Sequence, residues 1–429
     1  MNRILLTIDN LHSSRVLLPA SKSISNRALV IDALANDDFS ASCGNSSDWL
    51  INLSDCDDTR VMIEWFSSVP GVIDIGAAGT AMRFSTAFLS VMDGEHTITG
   101  SARMKQRPIS VLVDALRSLG CCIDYVENEG FPPLRIKGNN HLEGGMVRLS
   151  GSVSSQYISA LLMIGPKLSK GLHLVLEGEV VSRPYIDMTM NMMRDYGAEV
   201  EWKGVNEIVV SPVPYKRIRY AVESDWSAAS YWYEMLALSK SSDLEFKLLG
   251  LHSKSLQGDS EVANIFRQLG VETEFRSAEG NEYALLRKSG YCTEELCYDF
   301  TRVPDLAQTL VVTCAMLGIK FNFTGLQSLK IKETDRIVAL QNELAKIGVM
   351  LKVSDSTIEW DGAKSADALQ AGNTVPAIDT YDDHRMAMSF APCALVMPKV
   401  VINAPQVVTK SYPTYWEQLE RVGFNIAAL

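Results

Sequence analysis

Positively charged side chains stand at the start of several apolar segments of the chain. Lys22 and Arg27 open one such segment, Arg83 opens a second, and His384 with Arg385 opens a third. The free N–H groups at a helix N-terminus carry partial positive charge, so a cation beside them makes an anion site rather than a simple cap. The pattern therefore predicts a positive pocket for substrates that carry several negative charges.

Two further motifs combine carboxylates with cations. The segment KIKETDRI, which contains Lys332, Glu333 and Arg336, alternates its charges and would by itself indicate an exposed ladder of ion pairs. The segment YDDHRMAM sets two carboxylates, a histidine and an arginine before an apolar helix. Burying such a cluster is unfavourable unless the charges serve a purpose, so this motif indicates a functional site.

Small and polar residues dominate the remaining motifs. The stretch PASKSISNRAL sets hydroxyl and amide side chains between Lys22 and Arg27, as in a cradle for phosphate or carboxylate. In GAAGTAMR the small residues let backbone N–H groups approach a ligand, and SVSSQY offers two hydroxyls and an amide. The basic stretch ARMKQRPIS either binds the same anion or is only a surface loop.

These motifs lie at the ends of predicted helices. Six segments carry so little charge that we predict helices buried on all sides. They begin near Ser21, Gly79, Ser154, Asp225, Asp305 and Asp383. The reactive side chains therefore lie at helix N-termini, where Ser and Asp also act as caps.

A second series of helices, amphipathic rather than buried, alternates with the first. Each ends at a glycine that we expect in the left-handed conformation of the C′ position. These glycines, about 75 residues apart, are Gly120, Gly197, Gly270, Gly348 and Gly423, with a weaker copy at Gly71. Stretches such as EHTITG, LHLVLEG and KFNFTG are predicted strands. Unless the regularity is accidental, the chain contains six α/β repeats, three in each of two domains.

Composition narrows the class of protein. The chain has 429 residues, of which 47% are hydrophobic and 21% charged, as in a folded protein of two domains. A net charge of −11 disfavours nucleic acid and anionic membranes as partners. The longest apolar stretches, 306–319 and 386–397, are shorter than the ~20 residues that cross a bilayer. Scattered histidines and the absence of a C-x-x-C motif disfavour a metal site, and we expect a reduced cytoplasmic enzyme.

The motifs occur together in the order of one enzyme family. With PASKSISNR, GTAMR, MKQRPI, GSVSSQY, VSRPYID, KETDR, DDHRMAM and TKSYP between residues 20 and 416, the chain resembles the 5-enolpyruvylshikimate-3-phosphate synthases. The resemblance implies an α/β fold of two lobes, each with three βαβαββ units around a pseudo-threefold axis. It also implies that residues 1–20 and 223–429 form one lobe, that residues 21–222 form the other, and that the active site lies in the cleft between them.

The resemblance also implies a reaction. The enolpyruvyl group of phosphoenolpyruvate is transferred to the 5-hydroxyl of 3-phosphoshikimate, and phosphate is released, by addition and elimination through a tetrahedral intermediate. The product leads to chorismate and the aromatic amino acids. No metal or cofactor is implied, and we expect a monomer whose partners are these two small molecules.

The resemblance divides the motif residues between the two substrates. Contacts to 3-phosphoshikimate are implied for Lys22, Ser23, Arg27, Ser154, Ser155, Gln156, Ser182, Tyr185, Asp305, Ser328 and Lys332. Contacts to phosphoenolpyruvate are implied for Lys22, Gly79, Arg107, Gln156, Arg336, Arg385 and Lys410. Arginine suits both the carboxylate and the phosphate of that substrate because its guanidinium donates in a planar fork.

Five residues receive catalytic roles from the same resemblance. Asp305 is the implied acceptor of the 5-hydroxyl proton, and Lys332 stands beside it. Glu333, Lys22 and His384 are the candidates for proton transfer at the methylene carbon of phosphoenolpyruvate, a task that requires hydrogen-bond reach.

The chain departs from the family pattern at three positions. Ala77 and Ser328 each stand where an asparagine is usual, and Phe84 stands where a proline is frequent. None of these changes removes an ionic group. We therefore expect altered binding rather than loss of activity.

Two alternatives compete with this interpretation. The sister enolpyruvyl transferase that acts on UDP-N-acetylglucosamine shares the fold but uses a loop cysteine, whereas the corresponding segment here reads GSARMKQRPISV. A catalytically inactive anion-binding protein would be expected to lack Lys22, Asp305, Glu333 or Arg385, and all four are present. Both alternatives are therefore less favoured.

Overall fold

Two compact units make up the protein. The computed structural model describes residues 2–36, 49–68, 70–278, 281–363 and 375–429. Met1–Pro19 and Glu223–Leu429 form one unit, called the C-terminal unit, and Ala20–Val222 form the other, called the N-terminal unit. The chain thus begins in the C-terminal unit, crosses into the N-terminal unit and returns.

The helices are divided equally between the two units over the described ranges. Those of the N-terminal unit are α1 (Lys22–Leu34), α2 (Asp57–Ser68), α3 (Gly79–Ser90), α4 (Ser110–Ser118), α5 (Ser155–Ile164) and α6 (Arg183–Asp195). Those of the C-terminal unit are α7 (Trp226–Leu238), α8 (Val262–Arg267), α9 (Ala307–Leu317), α10 (Arg336–Ala345), α11 (His384–Phe390) and α12 (Tyr415–Arg421).

The strands are short. Up to the return crossing they are β1 (Arg3–Ile8), β2 (Ser14–Val16), β3 (Leu50–Ile51), β4 (Val72–Asp74), β5 (Gly94–Thr99), β6 (Cys122–Tyr125), β7 (Leu134–Gly138), β8 (Gly145–Ser150), β9 (Leu172–Glu177), β10 (Val200–Trp202), β11 (Glu207–Val210) and β12 (Tyr220–Ala221). After it they are β13 (Glu245–Leu249), β14 (Val271–Ala278), β15 (Asn281–Lys288), β16 (Glu295–Asp299), β17 (Lys320–Thr324), β18 (Lys352–Val353), β19 (Ile358–Trp360), β20 (Ala377–Ile378), β21 (Val400–Asn403) and β22 (Phe424–Ala428). The strands predicted from EHTITG, LHLVLEG and KFNFTG are β5, β9 and β17.

Five four-stranded sheets repeat one arrangement. In the sheet β4-β5-β7-β6 the first two strands are parallel and the other two join antiparallel. The sheets with the same order and directions are β8-β9-β11-β10, β16-β17-β19-β18, β2-β13-β15-β14 and β20-β21-β1-β22. A helix follows the first strand and another follows the second, so each sheet belongs to a βαβαββ unit. The prediction of an α/β fold built from such units is confirmed.

The sixth repeat is shorter in the part of the chain that the structure describes. It consists of α1, α2 and a parallel sheet of only two strands, β3 and β12. After α2 the chain continues directly to β4, the first strand of the next repeat. The six predicted repeats are therefore five complete units and one shortened unit.

Each crossing of the chain falls between the first strand and the first helix of a repeat. β2 comes just before the first crossing, yet its parallel partner is β13, which follows the return. β12 comes just before the return, and its partner β3 follows the first crossing. At each crossing, backbone hydrogen bonds between strands distant in sequence therefore close the interrupted repeat.

One helix of each repeat is buried and the other is amphipathic. Nearly all residues of α1, α3, α5, α7, α9 and α11 are buried, including every residue of α3. By contrast, α4 buries one face with Leu112, Val113, Ala115 and Leu116. The predicted alternation is confirmed. In the ranges described here, no helix has the length and apolar character needed to span a membrane.

The glycines after the amphipathic helices adopt the conformation predicted for them in five repeats. Gly120, Gly197, Gly270, Gly348 and Gly423 all have positive φ, between 83° and 109°. The prediction is wrong for the weaker copy, because Gly71 does not have a positive φ. There α2 ends at Ser68, and Pro70 directly precedes the glycine, so Gly71 does not follow the helix as a C′ residue.

A carboxyl group lies in the apolar core of the C-terminal unit. Glu234 on α7 has no exposed surface, and Thr313, Cys314 and Cys393 are among the residues near it. Burial raises the pKa of Glu234 well above its ordinary value. The folded protein therefore retains a proton on Glu234 at a pH where the unfolded chain has lost it.

We expect Glu234→Gln to stabilise the protein increasingly as pH rises. Both forms of the wild-type chain hold the proton below the unfolded pKa of ~4.3, so the variant should gain little there. Above that pH the wild type loses up to about 1.4 kcal/mol of unfolding free energy per pH unit until the folded pKa is reached, and glutamine does not. Urea unfolding of both proteins at pH 4, 5.5 and 7 measures the difference.

The matched control is Glu272→Gln on the exposed side of β14, which should not reproduce this pH-dependent gain. A gain for Glu234→Gln that is the same at all three pH values would contradict a protonated Glu234.

Candidate active site

In the N-terminal unit, the start of α1 carries the first predicted cation. Ser21 caps the helix by accepting a hydrogen bond from the N–H of Ile24. Lys22 follows, and its Nζ lies 3.3 Å from the carboxylate of Asp58 on α2. The Asp58 side chain is 5% exposed and that of Lys22 is 18% exposed, so the pair is largely buried and holds the ammonium group at the helix start. Asp58 was not identified from the sequence, since no motif surrounds it.

Arg27 joins three helices of the N-terminal unit. Its guanidinium donates to Thr189 Oγ1 at 2.7 Å, to Ser159 Oγ at 3.1 Å, and to the carbonyl oxygens of Ser23 at 2.8 Å and Tyr185 at 3.4 Å. Burial lowers the pKa of Arg27 to about 10, so it remains charged at neutral pH. Arg27 therefore holds the backbone of two other predicted substrate contacts, Ser23 and Tyr185.

Two guanidinium groups meet the first turn of α3. The residue before this helix is Ala78, whose methyl group cannot cap it. Arg83 donates from Nη1 to the Gly79 carbonyl oxygen at 2.9 Å. A Cβ on Gly79 would lie 2.6 Å from Nη1 of Arg107 and 2.9 Å from Nη1 of Arg83, so only glycine permits this approach. Two cations beside free helix N–H groups form an anion site.

The start of α5 is linked to the start of α3. Ser154 caps α5 by accepting from the Gln156 N–H, and the Gln156 side-chain amide donates to Thr80 Oγ1 at 3.0 Å. Ser155 is 8% exposed. The polar residues of SVSSQY therefore surround the first turn of one helix and reach the neighbouring one.

Strained backbone precedes α6. Ser182 has a φ of +53°, a conformation that non-glycine residues seldom adopt. Ser182 is also 8% exposed. Such strain persists only where the surrounding structure imposes it, and it concentrates at ligand sites. Tyr185, in the first turn of α6, is half-buried. Both were predicted to contact 3-phosphoshikimate.

In the C-terminal unit, one buried arginine contacts three carboxylates. Arg336 is 1% exposed. Its Nε lies 2.6 Å from Asp383, its Nη1 3.0 Å from Asp305 and its Nη2 3.0 Å from Glu333. Asp383 also caps α11 by accepting from the Arg385 N–H at 2.8 Å. KETDR is therefore part of a buried ion cluster, not of an exposed ladder.

Asp305 is surrounded by cations. Its carboxylate lies 3.4 Å from Lys332, 3.0 Å from Arg336 and 3.1 Å from Arg385. Burial acts to raise the pKa of Asp305, but the charges of Arg385, Lys332 and Arg336 together outweigh it and hold the pKa well below its ordinary value. Asp305 is therefore ionised at neutral pH.

Glu333 extends the cluster to the last predicted cation. Its second oxygen lies 2.9 Å from Nζ of Lys410, which ends the turn Pro405–Lys410. The structure thus brings six predicted residues of the C-terminal unit into one connected set of ion pairs. These residues are Asp305, Lys332, Glu333, Arg336, Arg385 and Lys410.

The other predicted residues lie at the edges of these sets. His384 is 1% exposed, with Nδ1 3.8 Å from Asp383. Ser328 is half-buried in the turn Gln327–Ile331, which leads into Lys332. Phe84, a departure from the family pattern, is fully buried in α3 with its ring 5.3 Å from the guanidinium carbon of Arg27.

Two residues next to the cluster were not identified from the sequence. The Ser227 hydroxyl on α7 donates to the carboxylate of Asp259, which is 3% exposed in the turn Gly258–Glu261. Nη2 of Arg385 lies 3.5 Å from the same hydroxyl oxygen. The segment LQGDSE around Asp259 contains no cation and matches none of the motifs, so nothing in its local sequence indicated a link to Arg385.

Comparison with known proteins gives the same family as these motifs. Residues 63–419 match the EPSP synthase (3-phosphoshikimate 1-carboxyvinyltransferase) family. The chain is 54% identical to a 3-phosphoshikimate 1-carboxyvinyltransferase of Bacteroides fragilis, over 99% of this chain and 98% of the relative. It is 35% identical to that of Photobacterium damsela subsp. piscicida, over 98% and 100%. The solved EPSP synthase from Acinetobacter baumannii has the same fold, with a TM-score of 0.76 at 20% identity and full coverage of both chains. The chain therefore belongs to the EPSP synthase family.

Proposed function

We propose that this protein transfers the enolpyruvyl group of phosphoenolpyruvate to the 5-hydroxyl of 3-phosphoshikimate and releases phosphate, a step towards chorismate and the aromatic amino acids. The observation that carries the proposal is the cation cluster around Asp305, in which Lys332, Arg336 and Arg385 all lie within 3.4 Å of one carboxylate. Such a cluster suits a substrate with both a carboxylate and a phosphate. Membership of the EPSP synthase family supports the choice of substrates.

Phosphoenolpyruvate is assigned to the anion site at the start of α3, to Lys22, and to the cations around Asp305. The residues assigned to it are Lys22, Gly79, Arg107, Gln156, Arg336, Arg385 and Lys410. The close approach of Arg107 to Gly79 supports the first part of this assignment.

3-Phosphoshikimate is assigned mainly to the N-terminal unit. Hydroxyl groups at helix starts suit its phosphate and ring hydroxyls. The residues assigned to it are Lys22, Ser23, Arg27, Ser154, Ser155, Gln156, Ser182 and Tyr185, together with Asp305, Ser328 and Lys332. Four hydrogen bonds of Arg27 stay within the protein, so we assign it chiefly to holding this surface in shape.

The proposed chemistry is addition followed by elimination. Asp305 accepts the proton of the 5-hydroxyl while the hydroxyl oxygen forms a bond to C2 of phosphoenolpyruvate. A proton donor adds a hydrogen to C3. The deprotonated donor then takes a proton back from the methyl group of the tetrahedral adduct as the bond between C2 and the phosphate oxygen breaks, which gives the enol ether and phosphate. Glu333, Lys22 and His384 are the candidates for proton transfer at C3. Glu333 is paired with Arg336 and Lys410, so it must take up a proton before it can donate one.

Binding of phosphoenolpyruvate would activate Asp305 as a base. With its pKa held low by three cations, Asp305 is a weak base. A bound carboxylate competes with Asp305 for Arg336 and Arg385, which lowers the positive charge around Asp305 and raises its pKa. Proton abstraction would therefore be efficient only when both substrates are bound.

We propose that the protein acts as a monomer in the cytoplasm and needs no cofactor. The seven cysteines that the structure describes are all free. Free thiols suit a reducing compartment.

Asp305→Asn tests the assignment of the base. Asparagine keeps the size of the side chain but cannot accept the proton, so kcat should fall by ~10²-fold or more. The KM for phosphoenolpyruvate should not rise, because the group that competes for Arg336 and Arg385 has lost its charge. Phosphate release with varied phosphoenolpyruvate measures both constants.

Asp243→Asn, on an exposed loop of the same unit, is the matched control and should leave both constants unchanged. Near-normal turnover by a folded Asp305→Asn variant would assign the base to another residue.

Gly79→Ala tests the anion site at α3. The added methyl group would meet both guanidinium groups, so Arg107 must move from its position. Loss of a charged hydrogen bond should raise the KM for phosphoenolpyruvate by roughly 10- to 100-fold and change the KM for 3-phosphoshikimate little.

Gly71→Ala is the control in the same unit, because an added Cβ there meets no atom within 4 Å and φ is not positive. If Gly79→Ala and Gly71→Ala had equal KM values for phosphoenolpyruvate, the anion site would not be part of the binding site.

A further inference from the structure

A second buried carboxylate reaches Arg385 through a hydroxyl group. Asp259 is 3% exposed and accepts the hydrogen bond of the Ser227 hydroxyl. A serine hydroxyl has one hydrogen, and its oxygen retains lone pairs that can accept from Nη2 of Arg385, 3.5 Å away. The same Nη2 lies 3.1 Å from Asp305. Arg385 is thus held between two carboxylates, one directly and one through Ser227.

We propose that Asp259 is a positioning residue for phosphoenolpyruvate binding, which orients Arg385 through Ser227. This inference rests on the proposed function, in which Arg385 binds that substrate. The direct partner, Asp305, faces competition from the substrate carboxylate. The Ser227 hydroxyl and the Asp259 carboxylate, together called the Ser227–Asp259 arm, are not assigned to substrate. They therefore continue to hold the Arg385 guanidinium while Asp305 is released.

The surroundings of Asp259 make its charge sensitive to pH. The charged and titratable groups near it are Asp305 before α9, Arg385 on α11, Asp225 before α7 and Tyr298 on β16. Burial, and then the negative charge of Asp305, raise the pKa of Asp259 to about 6, although Arg385 opposes the shift. Asp259 is therefore ionised at pH 7.5 and mostly protonated at pH 5.

The sign of the pH effect follows from these charges. Ionised Asp259 draws the Ser227 hydrogen towards itself and leaves the oxygen available to Arg385, so the arm is intact above pH 6. Protonation at lower pH removes the charge that orients this hydroxyl. Replacement of Asp259 by asparagine should imitate the protonated state at every pH.

The test compares Asp259→Asn with the wild type over a range of pH. At pH 7.5 the KM of the variant for phosphoenolpyruvate should be roughly five times that of the wild type, as expected for loss of one hydrogen bond. At pH 5 the ratio of the two KM values should approach one. Ionisation of the substrate itself affects both proteins equally and cancels in the ratio. The kcat values should differ much less than the KM values.

Ser227→Ala keeps the carboxylate but removes the bridge, so it should raise KM by a similar factor. The double variant should be no worse than either single variant, because all three break the same arm. Asp243→Asn is the control for an aspartate on the exposed surface of this unit. Thermal unfolding of each variant verifies that it is folded.

The outcomes separate this inference from the proposed function. A wild-type protein that does not release phosphate from the two substrates would contradict the proposed function. If the wild type is active but the ratio of variant to wild-type KM is near one at every pH, only the role of Asp259 is contradicted. A raised ratio that does not change with pH would contradict that role as well. Additive effects of Asp259→Asn and Ser227→Ala would likewise contradict a shared arm.

Discussion

The C-terminal unit depends on the ion pairs that the buried guanidinium of Arg336 makes with three carboxylates. Charges removed from water are stable only when they are paired, and loss of one partner from such a set typically destabilises a protein by about 3–5 kcal/mol. Arg336 compensates Asp305, Glu333 and Asp383 at once. These carboxylates lie before three different helices, so a single side chain fixes the relative position of the segments that carry the proposed catalytic groups.

The repeated fold supplies the helix starts at which this chemistry occurs. Each βαβαββ unit has one buried helix, and its first turn leaves N–H groups that need partners. In α1, α5, α7 and α11 a serine or aspartate side chain provides the cap. The start of α3 has Arg83 and Arg107 nearby and Ala78 in place of a polar cap, which makes it the most suitable of these starts for an anionic substrate.

The sequence predicted the repeats well because they follow from local patterns. Buried helices lack charge over a whole segment, and the glycines after amphipathic helices need positive φ, so both are visible without a structure. The partners of the cations could not be predicted in this way. Asp58 and Asp259 come from segments with no motif, and only the fold brings them to Lys22 and, through Ser227, to Arg385. The shortened repeat was also unexpected, since α2 is followed directly by β4 and a regular helix pattern does not reveal missing strands.

The fate of the bridging oxygen of phosphoenolpyruvate tests the proposed reaction most directly. The protein would be incubated with 3-phosphoshikimate and phosphoenolpyruvate labelled with heavy oxygen between C2 and phosphorus, and the products analysed by mass spectrometry. Because the enolpyruvyl group is transferred with cleavage of the C–O bond, all of the label should appear in phosphate, and only when 3-phosphoshikimate is present. Label retained in the organic product, or phosphate released equally without 3-phosphoshikimate, would contradict enolpyruvyl transfer by this protein.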